Sequence, residues 1–398
     1  MSEIKGDGMK RMTFPVVALM ILFSAFAAST AIADVEIKPY GFARLDMIYN
    51  DSRTNNGQIT MWTNPETGAA NKKKDDAELA IHPRLTRLGL NVKGGKLGNA
   101  DITGNVEVDF QTTTNFSESR QAIRMRHAYL KLTSGDVHLL AGQTWDVISP
   151  IFPSVNQDTL MWNAGNLGDR RPQLRLGYEP SFGAGKLSFV AGLGLTNAVD
   201  GKDLDGNGVR DGEDAAAPNI QARAGASFKG FVEKENIVVG VWGHTAKEEM
   251  ADGNTVGGED SFTSSSMGAD FTIPVISLLT VRGEVWTGKN LSDFRGGIGQ
   301  GVNTTTGKEI ESTGGWLELL CKLNPKFQAS IGYTKDEPEE DDVTATGKTE
   351  NETWYVGGLY KPGAGLAFGL EYINWKTEYK DNTDGDDNRI NLIAQYNF

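Results

Sequence analysis

The chain has 398 residues, a formal net charge of −13 at pH 7, 48 glycines and a single cysteine. The acidic balance argues against nucleic acid as a partner, which needs a basic footprint, and one cysteine excludes an intrachain disulfide framework. Mean hydropathy is −0.36, and beyond residue 33 no stretch is apolar and long enough to read as a membrane-spanning helix.

Residues 1–33 come first. Lys5, Lys10 and Arg11 make a basic start, Phe14 to Ala28 is apolar apart from Ser24, and Ala31-Ile32-Ala33 is a small-x-small cleavage site. This is the pattern of a secretory signal peptide; the apolar run is short for a membrane anchor. Met9, opening MKRM, is an alternative start. The mature chain is then a single exported domain, 34–398.

From there period-two alternation recurs to the last residue. Sixteen runs are predicted as strands, near 35–49, 78–94, 99–112, 120–133, 136–142, 172–179, 185–195, 218–228, 236–246, 260–274, 276–289, 309–324, 325–335, 351–361, 364–378 and 385–398. In NVEVDF, Val106, Val108 and Phe110 oppose Asn105, Glu107 and Asp109; in QLRLGY, Leu174, Leu176 and Tyr178 oppose Gln173, Arg175 and Gly177. Side chains alternate across a strand, so one face is apolar and the other, carrying charges of both signs, meets water. Leu317, Leu319, Cys321 and Leu323 share an apolar face. The lone thiol is therefore read as a buried or lipid-facing packing residue.

The connections carry more information than the strands. Tight turns such as GGKLGN (94–99), TSG (133–135), NPK (324–326) and PGAG (362–365) alternate with long polar stretches at 50–77, 143–171, 196–217, 247–259, 290–308, 336–350 and 379–384. Short turns on one side and long loops on the other mark an outer-membrane barrel; a β-sandwich has no such alternation. The expected fold is all-β: a transmembrane antiparallel β-barrel of sixteen strands, both termini on one side. The ending NRINLIAQYNF then pairs with YGFARLDMIY (40–49), so no strand edge is left in lipid. Phe398, with Tyr396 near it, falls in the periplasmic aromatic girdle. The partners expected are outer-membrane lipid and, through the C-terminal strand, the barrel-assembly machinery of a Gram-negative outer membrane.

Two strands change phase partway. Arg124 and Arg126 oppose Ile123 and Met125, but Ala128, Leu130 and Leu132 then share the arginines' phase; the same switch falls between Leu85 and Leu88. A β-bulge in each would keep the arginines inward. Without it they would face lipid, at about 2–4 kcal/mol each at mid-bilayer.

The segment QTWDVISPIFPSVNQDTLMWNAGNLGDRR (143–171) follows the fifth strand. In sixteen-stranded porins the loop at that place folds into the lumen and constricts it, and the whole mature chain resembles that superfamily. The run RHAYLKL…VHLLAGQTWDVISPIFPSVNQDTLMWN…RRPQLRLGYE looks most like the DcaP-like branch, linked to dicarboxylate uptake. The resemblance implies a homotrimer, which the residues themselves do not show. A dicarboxylate porin of that branch carries a periplasmic coiled-coil segment before its barrel, whereas only a few residues separate Ala33 from the first strand here.

A pore selects at its narrowest ring. The wall candidates are Arg44, Arg84, Arg87, Arg124, Arg126 and Arg175, with Asp146 and Asp158 opposing them from the inserted loop. Opposed charge rows set up a transverse field, and guanidinium forks match carboxylates. The expectation is passive diffusion of small hydrophilic solutes with a preference for anions such as dicarboxylates. The alternative is that the arginines pair with Glu107 and Asp109 as wall scaffolding. Trp145 and Trp162 are read as packing the loop. No cofactor is required.

DLDGNGVRDGED (203–214) places Asp203, Asp205, Asn207, the Val209 carbonyl, Asp211 and Asp214 at positions 1, 3, 5, 7, 9 and 12 of a calcium loop, with Gly208 at the turn. A Ca²⁺ site of this kind would stiffen an outer loop; the alternative is an ordinary acidic turn. GGIGQG (296–301) lacks the strand-turn-helix setting of a nucleotide fingerprint and is read as a flexible loop.

Three rivals remain. A barrel enzyme needs an activated nucleophile with its base, and His82, His127, His138 and His244 show no such motif; no catalytic residue is assigned. A sugar-selective channel needs an aromatic track, for which Trp242, Trp286 and Trp375 are candidates. A structural barrel would not conduct.

Overall fold

The computed structural model describes residues 35–66, 76–112, 119–155 and 159–398; the proposed leader lies outside them. Sixteen strands form one closed antiparallel barrel. They are β1 (Glu36–Asn50), β2 in two halves (Glu78–His82 and Arg87–Leu97), β3 (Ala100–Asp109), β4 (Arg124–Ser134), β5 (Val137–Trp145), β6 (Arg170–Tyr178), β7 (Gly185–Gly194) and β8 (Asn219–Lys229), then β9 (Asn236–Glu249), β10 (Ser261–Ile276), β11 (Leu279–Lys289), β12 (Glu311–Asn324), β13 (Phe327–Pro338), β14 (Lys348–Gly363), β15 (Leu366–Tyr379) and β16 (Gly385–Asn397). Each predicted run becomes a strand.

The first and last strands pair from Phe42 with Asn397 to Asn50 with Arg389. Gly41 and Phe398 then exchange main-chain hydrogen bonds of 3.2 and 3.1 Å. The barrel therefore has no free edge, as hydrocarbon requires. The faces of β16 sort as its sequence alternates: Ile390, Leu392, Tyr396 and Phe398 are exposed, while Arg389 and Asn391 are fully buried. Ile393, which breaks the polar side, packs inward against the bare backbone of Gly369.

Both bulges are present. On β4, Glu107 pairs with His127 and Val108 with Met125, so Arg126 is the extra residue. On β2, three residues of β1 (43–45) face four (83–86) between the two paired halves. Pro83 has no N–H to give to the ladder. The result is Met125, Leu88 and Leu130 on the lipid side and Arg84 and Arg126 buried inside. Cys321 sits half-buried among the lipid-facing Leu317, Leu319 and Leu323.

The lumen is filled on one side by the 146–169 connection between β5 and β6. Its Ile148 and Leu167 pack with Trp242, Trp286, Leu291 and Phe294. Its Val155, Met161 and Ala164 pack with Tyr355, Ile373 and Trp375. Trp242, Trp286 and Trp375 are thus inward-facing residues covered by the loop, not an open aromatic track. The glycine-rich 296–301 stretch is folded rather than loose: Ile298 is fully buried and its N–H donates to Asp336 at 3.1 Å. Among the described residues no helix is long and apolar enough to cross a membrane.

Candidate pore constriction

The inserted loop is tied at its neck. Asp146 N donates to Asp169 O at 2.8 Å, and Asp169 N donates to Asp146 Oδ2 at 2.9 Å. Arg171, fully buried, forks onto Asp146 through Nε (2.5 Å) and Nη2 (3.1 Å), and reaches Asp293 of the 290–310 connection through Nη1 at 2.6 Å. Its guanidinium lies 4.0 Å over the Phe294 ring. Buried charges are tolerated when paired in this way.

The far side of the loop is fixed to β11–β14. Glu284 accepts from the Ser149 hydroxyl and from Ile151 N at 3.3 Å. Glu318 accepts from Ser154 N (2.6 Å), Tyr355 Oη (2.7 Å) and Arg282 Nε (2.7 Å). Trp286 Nε1 donates to Gly165 O at 2.7 Å, and Asn351 Nδ2 to Asn163 O at 2.7 Å. Carboxylates on this wall therefore hold the loop's N–H groups.

Across the lumen stands the arginine wall. Arg124 forks onto Asp109 at 2.8 and 2.7 Å. Arg126 bridges Glu107 (2.7 Å) and Asp109 (2.8 Å). Arg87 lies 3.4 Å from Glu107 and 5.1 Å over Phe42. Arg44 pairs with Asp46. Between wall and loop is a cavity of about 150 Å³, lined on the wall side by Phe42, Arg44, Leu85, Arg87 and Arg126 and on the loop side by Trp145, Val155, Leu160, Trp162 and Arg170. Around it the guanidinium groups of Arg44, Arg87, Arg124, Arg126, Arg170 and Arg295 meet four carboxylates, Asp46, Glu107, Asp109 and Asp169. Among the described residues six guanidinium groups thus meet four carboxylates, which makes this lining basic although the whole chain is acidic.

The sequence-predicted residues divide. Arg44, Arg87 and Arg126 line the cavity, and Arg124 stands behind it on Asp109. Arg84 is buried apart, with Nη1 3.5 Å from Thr112 O. Arg175 turns to Gln173 Oε1 (2.8 Å) and the Trp145 carbonyl. Asp146 does not face the arginine row: it is consumed by Arg171 and by Gln221 at 2.7 Å. Asp158 lies outside the described residues. The carboxylate meeting the wall from the loop is Asp169, paired with Arg170 and Arg295. Arg87 pairs with Glu107 and Arg126 with Glu107 and Asp109, and both also line the cavity, so pairing on the wall does not remove them from the gap. Sequence reading missed Arg170, Arg171 and Arg295. The Arg170-Arg171 doublet at the loop's end was a visible signal; Arg295, far along the chain, gave none.

In the 195–218 connection, Asp203, Asp205 and Asp211 bring carboxylate oxygens within 4.8 Å of one another. Burial, with Asp205, Asp203 and Asp200 close by, pushes the Asp211 carboxyl up to about 6. Asp214 is linked in only through Asn207 Nδ2 at 2.7 Å, and Asn207 Oδ1 accepts from Val209 N at 2.6 Å. The cluster is thus three carboxylates, with the fourth and the amide arranged around them.

A closed sixteen-stranded barrel with the connection between its fifth and sixth strands folded inward defines the outer-membrane porin fold, and this chain has it. No protein-family model matches the chain, and no curated protein matches it in sequence. Among solved structures it is similar to the outer membrane channel DcaP of Acinetobacter baumannii (TM-score 0.72, 18% identity, covering 92% of this chain and 97% of that one). It is also similar to the anion-selective porin from Comamonas acidovorans (TM-score 0.59, 10% identity, 92% and 100% covered) and to Salmonella typhi OmpF in complex with daunomycin (TM-score 0.60, 14% identity, 91% and 97% covered).

Proposed function

We propose that the protein is an outer-membrane porin of a Gram-negative bacterium, passing small hydrophilic solutes by diffusion and favouring anions, dicarboxylates among them. The observation that carries this is the cationic gap left between the inserted loop and the arginine wall. Charge at the narrowest point decides which ions enter, and in a confined aqueous gap screening is weaker than in bulk. The fold neighbours support the channel, and the Comamonas acidovorans protein is itself described as anion-selective. Association as a homotrimer belongs to the same reading; a trimer form is among the similar structures, of Vibrio cholerae OmpT. Ca²⁺ held by the 203–214 turn would stiffen an outer loop without entering transport.

The test is the reversal potential of the refolded protein in planar bilayers under a KCl gradient, with and without succinate. Anion-leaning channels that lose their preference in Arg124→Gln/Arg126→Gln support the reading. Cation-leaning channels refute the anion assignment, and an anion preference untouched by the double variant refutes its assignment to the arginine wall. Absence of conductance from a folded, heat-modifiable barrel refutes the channel.

A further inference from the structure

The cavity beside the loop is chemically two-sided. Its wall side brings the guanidinium groups of Arg44, Arg87 and Arg126; its loop side brings Trp145, Val155, Leu160 and Trp162. Arg170 joins the two. Its Nη2 donates to Asp169 Oδ1 at 3.1 Å, and its guanidinium lies 4.5 Å over Trp145 and 5.8 Å from Trp162. Arg170 is only 8% exposed, and its Nη1 has no hydrogen-bond partner among the described residues. A buried donor left unmet is costly, and such orphans call for an explanation.

The missing acceptor must reach a cationic surface while its body rests on an apolar one. The cavity, about 150 Å³, is on the scale of an apolar cavity that admits benzene, which suits one small ring rather than a long chain. A carboxylate satisfies the guanidinium side by charge-assisted hydrogen bonds. A flat ring satisfies the indole and aliphatic side. Succinate, which has no ring, would leave the indole and aliphatic side formed by Trp145, Val155, Leu160 and Trp162 unfilled.

We propose that this cavity is a binding station for small aromatic monocarboxylates of benzoate size, carboxylate toward Arg170 and Arg87, ring on the loop face. The proposal narrows the anion-channel reading and rests on it. Isothermal titration of the detergent-folded protein with sodium benzoate, benzamide and succinate tests it directly. The expected result is benzoate binding about tenfold tighter than either competitor, with Arg170→Gln and Trp162→Ala each weakening benzoate about tenfold, the scale of one charge-assisted bond or one aromatic contact. Arg170→Lys, which keeps the charge but not the fork, should fall between wild type and Arg170→Gln, and heat-modifiability verifies that each variant is folded. Succinate or benzamide binding as tightly as benzoate overturns the proposal, as does benzoate binding indifferent to Arg170→Gln. Bilayer conductance separates the two readings. A conducting channel that does not bind benzoate removes the station alone; a folded barrel that binds benzoate but never conducts keeps the station and removes the channel.

Discussion

Replacing Arg171 with alanine should release the constriction loop while leaving the barrel closed. Arg171 is fully buried and makes three short contacts to two carboxylates, at 2.5 and 3.1 Å to Asp146 and 2.6 Å to Asp293. Its removal leaves both acids uncompensated in a site already expensive for charge; burial holds the Asp293 carboxyl above its ordinary range even with Arg171 beside it. Breaking a buried pair from one side costs about 3–5 kcal/mol. Each 1.4 kcal/mol is about tenfold in an equilibrium constant, so the docked loop should lose a factor of about 100 or more against open forms. The barrel hydrogen bonds do not involve the side chain, so the protein should still fold. The assay is single-channel recording: Arg171→Ala should show higher conductance with flickering, and the loop should become sensitive to protease. Arg171→Lys keeps a charge but loses the fork and should lie between the two. Wild-type conductance, noise and protease resistance in a folded Arg171→Ala protein would refute the idea that this clamp sets the loop.

The far anchorage gives a second test. Trp286→Ala removes a buried ring and the hydrogen bond to Gly165 O; the cost of about 3–5 kcal/mol should appear as a noisier channel, and quiet wild-type traces would contradict it. On the lipid face, Leu392→Arg, mid-strand on β16, should cost about 2–4 kcal/mol in urea unfolding from vesicles, whereas an unchanged midpoint would mean that face is not in hydrocarbon. For the acidic turn, calcium titration at pH 7 should give a binding heat that Asp205→Asn abolishes; no heat identifies an ordinary turn. In the absence of cation the sign at Asp211 is fixed by its raised value of about 6 against an unfolded carboxyl near 4. Protonation stabilises the folded loop below about pH 4, and that contribution fades as pH rises to about 6, so protease resistance of residues 195–218 should decline over that window and be flat in Asp211→Asn.

The barrel was legible because alternation and connection length are local. Strand count, both bulges and the closing pair of β1 with β16 followed from which neighbours are apolar, and lipid leaves little freedom to violate that pattern. The lumen was less legible because its faces are polar wherever they meet water and apolar wherever the loop covers them. Trp242, Trp286 and Trp375 stand on inward positions that strand periodicity alone marks as wet; only the loop's path makes them core. Asp146 shows the same limit. Its place in the loop made it look like a lumen charge, but its partners Arg171, Gln221 and, through Arg171, Asp293 come from three other parts of the chain. Arg295 had no local signal at all, since a cation in an outer connection reaches Asp169 only after the fold is made.

On the proposed anion-channel reading, the loop also accounts for a cationic gap in an acidic protein. On the β11–β13 side the carboxylates Glu284 and Glu318 are turned toward loop N–H groups and Arg282, so their charge is spent on holding the loop. On the β1–β6 side the arginines outnumber the carboxylates they touch among the described residues. On that reading the loop covers one acidic wall and leaves the basic one open, with Asp169 the described loop carboxylate that meets arginines, so displacing the loop should change ion preference as well as pore size. Reversal potentials of Arg171→Ala measured beside its conductance distinguish the two: a wider channel with the anion preference of wild type would place selectivity on the arginine wall alone, and a wider channel shifted toward cations would show that covering Glu284 and Glu318 is half of the mechanism.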